Sequence, residues 1–114
     1  MPNDPQKQPV RVLGIDPGTV VTGWGVVEER GNRLVHIDSG IIRARGDLPQ
    51  RLARIAQGIP EVVTSAQPTQ LSIEKNFVGA NIQSAFRLGE ARGVILAAAG
   101  LAELPVTEYS PTAV

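Results

Sequence analysis

The chain has 114 residues, eleven acidic and eleven basic side chains and no cysteine, so its formal charge at pH 7 is zero. This length predicts a single domain, and the lack of cysteine excludes disulfides, thiolate metal sites and cysteine nucleophiles. No apolar run approaches the length of a membrane span and the first residues show no basic-then-apolar signal pattern, so a cytoplasmic location is the default expectation.

The first nine residues are polar and proline-rich, which predicts a disordered N-terminal tail (1–9) before a domain spanning 10–114. Residues 10–27 read VRVLGIDPGTVVTGWGVV. They predict a hairpin: a strand ending at Asp16, a turn at Pro17 and Gly18 in which the glycine takes the positive φ, and a return strand. A lone carboxylate after so apolar a strand costs several kcal/mol unless a cation or hydrogen-bond donors compensate. Asp16 is therefore either a ligand or a cap of its own turn.

A second turn at Gly31 and Asn32 leads into a third predicted strand, residues 34–43, so three antiparallel strands follow one another. The only histidine, His36, lies in the polar–apolar alternation of this strand. We interpret it as a strand side chain rather than as part of a catalytic relay or a metal cluster.

The hydrophobic period then changes to that of a helix. Asp47 is the predicted N-cap, and Pro60 predicts either a bend or two shorter helices. The predicted inward stripe comprises Leu48, Leu52, Ile55, Ile59 and Val62.

Residues 71–74 form a short apolar segment that should pair in parallel with the first strand, because a crossover helix precedes it. A second helix is predicted over 81–99, ended by Gly100, and a fifth strand over 104–109. The residues of this helix predicted to face inward are Ile82, Ala85, Phe86, Gly89, Gly93 and Leu96. A row of small residues at a spacing of four (Ala85, Gly89, Gly93 and Ala97) indicates close packing, against either the sheet or a second copy of the chain.

Nine of the eleven basic residues are arginine, and several cluster in the sequence. Arginine suits bidentate phosphate contacts, while a solvated face is the alternative for each cluster. The clustered residues are Arg43, Arg45, Arg51 and Arg54, then Arg87 and Arg92.

Asp16 ends the first predicted strand and Glu74 ends the fourth. If these strands are parallel neighbours, both carboxylates emerge at the same edge of the sheet, where they repel each other unless a proton or a divalent cation lies between them. Such oxygen ligands suit magnesium or manganese. Two-metal phosphoryl transfer usually needs three or four carboxylates, and Glu74 taken alone is equally a salt-bridge partner.

An ordered set of short motifs resembles the RuvC family of Holliday junction resolvases. The set begins with GIDPGT at 14–19 and TGWG at 22–25, continues with Ile73, Glu74 and Phe77, and ends with Asn81, Ser84–Ala85 and GEARG at 89–93. The resemblance implies a ribonuclease H-like fold, a mixed sheet of three antiparallel strands followed by parallel strands with helices on its faces. It also implies a homodimer, formed through the helix 81–99, that makes magnesium-dependent nicks in four-way DNA junctions. Junction-binding and branch-migration proteins are the further partners it implies.

Carried over by residue, the resemblance makes Asp16 and Glu74 catalytic metal ligands for two Mg²⁺ ions, with Mn²⁺ as an alternative. Phe77 matches an aromatic residue that inserts near the junction centre, and an exposed ring in this polar loop suits base stacking; its alternative is a loop anchor folded onto the core. Lys75, Asn76 and Asn81 are the other predicted DNA contacts.

The chain departs from the family pattern at its C-terminal end. The resemblance implies a later helix with two acids, or an acid and a histidine, one turn apart, and this sequence has none. We therefore expect a C-terminally truncated nuclease domain that binds metal weakly and cleaves poorly or not at all.

Two other functions fit parts of the sequence. A non-catalytic module that binds branched DNA or dimerises is one alternative. The other is a nucleotide-binding fold of the actin and sugar-kinase type, whose phosphate loop shares the D-x-G-T pattern, although the chain lacks the length for its second lobe.

Overall fold

The computed structural model describes residues 8–75 and 81–109. The predicted tail is described only from residue 8, and Asn76 and Phe77 lie outside the described residues. Five strands and two helices follow in the order β1 Arg11–Asp16, β2 Val21–Arg30, β3 Arg33–Arg43, α1 Leu48–Ala66, β4 Gln70–Glu74, α2 Ile82–Leu101 and β5 Val106–Tyr109. Neither of these helices is long and apolar enough to cross a membrane.

The strands form one mixed sheet in the order β3-β2-β1-β4-β5. The pairs β1–β2 and β2–β3 are antiparallel, whereas β1–β4 and β4–β5 are parallel. The helices α1 and α2 supply the crossovers that parallel neighbours require. The predicted fold class, a ribonuclease H-like sheet of three antiparallel strands followed by parallel strands, is confirmed.

Alternation along the strands gives the sheet one buried face and one open face. Leu13 and Ile15 of β1 and Leu71 and Ile73 of β4 are at most 1% exposed and belong to one core with the buried residues of both helices. The intervening residues of β1 and β4 point to the other face, which we call the open face. Asp16 and Glu74 lie on this open face, so the packing of the core decides where both acids point.

Helix α1 follows the predicted stripe. Asp47 caps its N-terminus in a capping box with Gln50, each side chain accepting from the other residue's backbone N–H at 3.1 Å. The helix runs through Pro60 as one element, so the alternative of two shorter helices is wrong. Pro60 and Ala56 are both exposed, and the Ala56 carbonyl that loses its helical partner can therefore bond to water.

The predicted inward face of α2 is wrong for most of its residues, although Leu96 does pack against the core. Ile82 is 82% exposed and Phe86 is 70% exposed, and Gly89 and Gly93 face open space. The face turned to the core instead comprises Ala91, Arg92, Ile95, Ala98 and Ala99. The helix also runs past Gly100 to Leu101, and the left-handed residue after it is Glu103, with φ 57°. Small and apolar residues surround this helix on several sides, so their spacing could not identify the buried face.

Candidate active site

Strands β1 and β4 bring Asp16 and Glu74 side by side. Ile15 pairs with Ile73 in the parallel ladder, and each acid is the next residue of its strand. Because Ile15 and Ile73 are buried beneath the helices, the two carboxylates project from the open face, Asp16 exposed and Glu74 half-buried. Within 8–75 and 81–109, no third Asp, Glu or His joins them in a cluster that could hold a metal.

The environment of the pair disfavours two negative charges. Burial, then a hydrogen bond to Asp16 and the charge of Asp16, raise the pKa of Glu74 above its usual range. A carboxyl group can donate such a hydrogen bond only while it holds a proton. Glu74 therefore holds a proton more readily than an ordinary glutamate does. A cation between the two carboxyl groups would favour the ionised form of both.

The turn after Asp16 is held by its own side chains and backbone. Gly18 donates its N–H to the Thr22 hydroxyl at 3.3 Å, and the Thr22 hydroxyl lies at the same distance from the Gly18 carbonyl oxygen, to which it can donate. The prediction of a positive φ at Gly18 is wrong. The glycine is needed for close approach instead, because a Cβ there would lie 1.9 Å from the carbonyl oxygen of Val21.

This turn also bears on two alternatives from the sequence. No backbone N–H among the described residues donates to the Asp16 carboxylate, so Asp16 is not the cap of its own turn. The Gly18 N–H donates to the Thr22 hydroxyl, so in this conformation it is not available to a phosphate as the loop of the actin and sugar-kinase type would require.

Tyr109 is a site residue that the sequence reasoning missed. Strand β5 pairs with β4 so that Tyr109 lies opposite Glu74, and its ring lines an open groove of about 450 Å³ with Asp16, Gly23 and Ser72. Burial, then the charges of Glu74 and Asp16, raise the pKa of the Tyr109 phenol, which therefore stays a neutral donor. The alternation of side chains along the predicted strand 104–109 could have identified Tyr109, but only if that strand had been predicted to pair in parallel with β4.

Lys75 points away from the acid pair. Its ammonium lies 3.5 Å from a carboxylate oxygen of Glu108, whose other oxygen accepts from Arg92 at 2.6 Å. The guanidinium of Arg92 is nearly buried, with 8% of its side chain exposed. Lys75 thus belongs to an ion-paired cluster on the core side of the sheet, next to the acid site rather than in it.

Asn81 has a structural role. Its side-chain oxygen accepts the N–H of Ser84 at 2.8 Å and caps α2. The same residue lines a surface groove of about 570 Å³ with Arg87 and the turn residues 17–19. Of the six site residues predicted from the sequence, the structure brings Asp16 and Glu74 together, places Lys75 and Asn81 beside them, and does not describe Asn76 and Phe77.

A five-stranded mixed sheet of this order, with paired carboxylates ending two parallel neighbours, defines the ribonuclease H-like class of folds. The family model for the crossover junction endodeoxyribonuclease RuvC matches residues 12–114, and the chain belongs to this family.

Curated relatives and solved structures agree with this assignment. The chain is 44% identical to the RuvC of Geotalea uraniireducens over 104 residues, which cover 89% of this chain and 60% of that protein. It is 52% identical to the RuvC of Anaeromyxobacter sp. over 104 residues, covering 90% of this chain and 50% of that protein. The chain thus spans between half and about 60% of the length of these relatives. A solved Thermus thermophilus RuvC in complex with a Holliday junction substrate superposes with a TM-score of 0.83 and 30% identity, over 90% of this chain and 64% of that one.

Proposed function

We propose that this chain carries the first two acids of a metal-dependent endonuclease that nicks four-way DNA junctions during recombination and repair. The observation that supports this most directly is the register of β1 and β4, which sets Asp16 beside Glu74 on the open face of the sheet. Membership of the RuvC family supports the junction as the substrate, as does the junction bound by the Thermus thermophilus relative.

The residues present fit a divalent cation. Two carboxylates offer the hard oxygen ligands that Mg²⁺ and Mn²⁺ prefer. Burial, then a hydrogen bond to Asp16 and the charge of Asp16, raise the pKa of Glu74, and a bound cation would favour the ionised form of both groups. We propose that Asp16 and Glu74 hold Mg²⁺, with two ions in the complete site and Mn²⁺ as a substitute. When bound, such ions stabilise developing negative charge and lower the pKa of bound water.

The chain's own residues then have distinct tasks. Asp16 and Glu74 are fixed by strands whose neighbouring residues are anchored in the core. Tyr109 borders the same groove as a neutral hydroxyl that can donate to a phosphodiester oxygen. The proposed DNA contacts of Lys75, Asn76, Phe77 and Asn81 belong to the segment that joins β4 to α2, immediately after Glu74.

We also propose a homodimer formed through α2. Ile82 and Phe86 are largely exposed, and the neighbouring Gly89 and Gly93 leave room for a second backbone. Two acid sites in one dimer would match the two strands that must be nicked to resolve a junction. Junction-binding and branch-migration proteins are the further partners we propose, and cellular DNA as the substrate supports a cytoplasmic location.

Cleavage of a labelled four-way junction tests the proposal. The protein is incubated with the junction and Mg²⁺, and Asp16→Asn and Glu74→Gln are compared with the unaltered chain. We expect both variants to lose any nicking while they still bind the junction in the presence of a chelator, because binding and cleavage use different groups. Nicking that persists in Asp16→Asn, or equal weak binding of junction and duplex DNA, would contradict the proposal.

A further inference from the structure

The end of strand β3 carries two arginines on the open face of the sheet. Burial alternates there: Ile42 and Ala44 are each 2% exposed, whereas Arg43 and Arg45 are exposed. The N–H of Ala44 donates to the carbonyl of Val20 at 2.8 Å, which continues the extended pairing one residue beyond β3. Both arginines therefore project from the side of the sheet opposite to the core.

This position lies at the same end of the sheet as the acid pair. Asp16 pairs with Gly23 of β2, and Gly23 pairs with Ile41 of β3. Arg43 is two residues further along β3, toward the end of the sheet where β1 terminates. Two strand spacings and two residue steps place the backbone of Arg43 roughly 12 Å from that of Asp16.

The surface between them carries no side chain on β2 at the level of Asp16. Gly23, the residue between Asp16 and Ile41, leaves an open path across the sheet. Ile41 and Val21 are the exposed side chains beside this gap, so an extended polyanion that contacts the arginines can pass over Gly23 to reach the acid pair.

The basic residues of the described ranges fall into two groups. Four of them are neutralised by carboxylates: Arg11 and Arg30 by Glu28, and Lys75 and Arg92 by Glu108. The other six form no ion pair with a carboxylate among residues 8–75 and 81–109: Arg33, Arg43, Arg45, Arg51, Arg54 and Arg87. Of these six, Arg43 and Arg45 are the two at the end of β3 beside the acid pair. Arg43 and Arg45 thus place positive charge that no carboxylate neutralises at the acid-bearing end of the sheet, where a bound polyanion would meet it.

We propose that Arg43 and Arg45 bind backbone phosphates of the DNA arm whose strand enters the acid site. This inference rests on the proposed function and adds the path that the substrate takes across the protein. The planar guanidinium suits bidentate contact with phosphate. Such contacts position a strand without reading its sequence, so they hold the scissile region over Asp16 and Glu74 whatever the sequence of the arm.

Equilibrium binding over a series of salt concentrations tests this role. A labelled four-way junction and a duplex of equal length are titrated with the protein in a chelator, which prevents cleavage. We expect Arg43→Gln and Arg45→Gln each to weaken binding of both DNAs roughly tenfold at low salt. Each should also reduce the slope of log K against log salt by about 0.9, the value for one lost phosphate contact.

Arg33 provides the matched control. It is exposed at the start of the same strand, at the opposite end of the sheet, and Arg33→Gln should leave the salt slope unchanged. Arg43→Lys and Arg45→Lys retain the charge and should keep most of the slope, which separates a lost phosphate contact from a folding defect.

The outcomes separate the two proposals. A chain that binds the junction, but whose slope is unchanged in Arg43→Gln and Arg45→Gln, overturns the arginine path and leaves the proposed function in place. An equal loss in Arg33→Gln also overturns it, since the effect would then be general charge attraction. Failure of the unaltered chain to bind either DNA overturns both proposals.

Discussion

Asp16 and Glu74 are adjacent like charges on a surface that offers them no basic partner among the described residues. Lys75, the nearest basic residue in the sequence, is engaged by Glu108 on the other side of the sheet. In the absence of a cation, the pair therefore opposes folding whenever both groups are ionised. Such an arrangement stabilises the protein only when a ligand supplies positive charge.

Thermal unfolding measures this balance directly. At a Mg²⁺ concentration about ten times its Kd, binding to the folded chain adds about 1.4 kcal/mol, which raises Tm by roughly 4–8 °C for a domain of this size. Asp16→Asn and Glu74→Gln should lose this rise. Glu74→Gln should also unfold at a higher temperature than the unaltered chain in a chelator, because the repulsion is gone. An equal magnesium response in all three proteins would show that the ion binds elsewhere.

Sequence reasoning found these two residues because each acid ends an apolar strand, and a carboxylate in that setting needs an explanation. Tyr109 gave no comparable signal. A single tyrosine at the end of a short strand becomes a site residue only through its register with Glu74, and register depends on long-range pairing. Asn81 shows the converse, because the residue that the family resemblance made a DNA contact has a side chain that caps a helix.

At the scale of elements, α1 could be predicted and α2 could not. The stripe of α1 is separated from a polar face, so its spacing alone identifies the buried side. Helix α2 has alanine and glycine on all sides, and its core face contains a buried arginine, Arg92, that sequence reasoning would place in solvent. The core does not cover two large apolar residues in the first two turns of α2, Ile82 and Phe86. They are therefore available for contact with another molecule.

The exchange of Phe86 for serine tests the α2 interface. Truncating a central aromatic residue of an interface commonly costs 2 kcal/mol or more, so we expect the dimer dissociation constant to rise roughly thirtyfold in sedimentation experiments. The stability of the isolated chain should change by no more than about 0.5 kcal/mol, because the ring is exposed.

Leu34→Ser is the matched control. Leu34 is 71% exposed on β3, far from α2 in the chain, and its exchange should leave the association unchanged. A monomeric unaltered chain, or equal effects of Phe86→Ser and Leu34→Ser, would rule out the proposed interface.

At the scale of the whole molecule, charge is distributed unevenly although its sum is zero. Opposite the acid site, the Glu28 carboxylate accepts hydrogen bonds from Arg11 and Arg30, and Arg11 also donates to the Ala66 carbonyl at 2.6 Å. This network joins β1, β2 and the end of α1. Neither composition nor net charge could reveal it, because Arg11 is joined to Glu28 and Ala66 only by the pairing of distant segments.

The same network predicts a dependence of stability on pH. The side-chain hydrogen bond from Arg30, then that from Arg11, lower the pKa of Glu28 below its ordinary value. The stability this adds is fully present above the ordinary glutamate pKa and is lost as the pH falls through the lowered pKa of the folded chain. In urea unfolding, Glu28→Gln should therefore have a lower free energy of unfolding than the unaltered chain at neutral pH. This difference should disappear once the pH is below the lowered pKa of Glu28.

Glu29→Gln is the control for that series. Glu29 neighbours Glu28 on β2 but is exposed, so its exchange should leave the pH profile of the unaltered chain in place. If the free energy of unfolding of Glu28→Gln stays below that of the unaltered chain by a constant amount as the pH falls, the role of the ionised carboxylate is contradicted.

The groove beside the acid pair has one more consequence. The chain contains a single tryptophan, Trp24, and a single tyrosine, Tyr109. Tyr109 lines this groove with Asp16, whereas Trp24 pairs with Ile15 and packs against the core on the other face of the sheet. Tyr109 pairs directly with Glu74, and Trp24 is one ladder position away from Asp16, so the two strongest ultraviolet emitters of the protein both lie next to the acid pair, one on each face of the sheet. A luminescent lanthanide or a paramagnetic ion bound at the carboxylates would brighten or quench that emission, so the protein carries its own optical reporter of site occupancy without any attached dye.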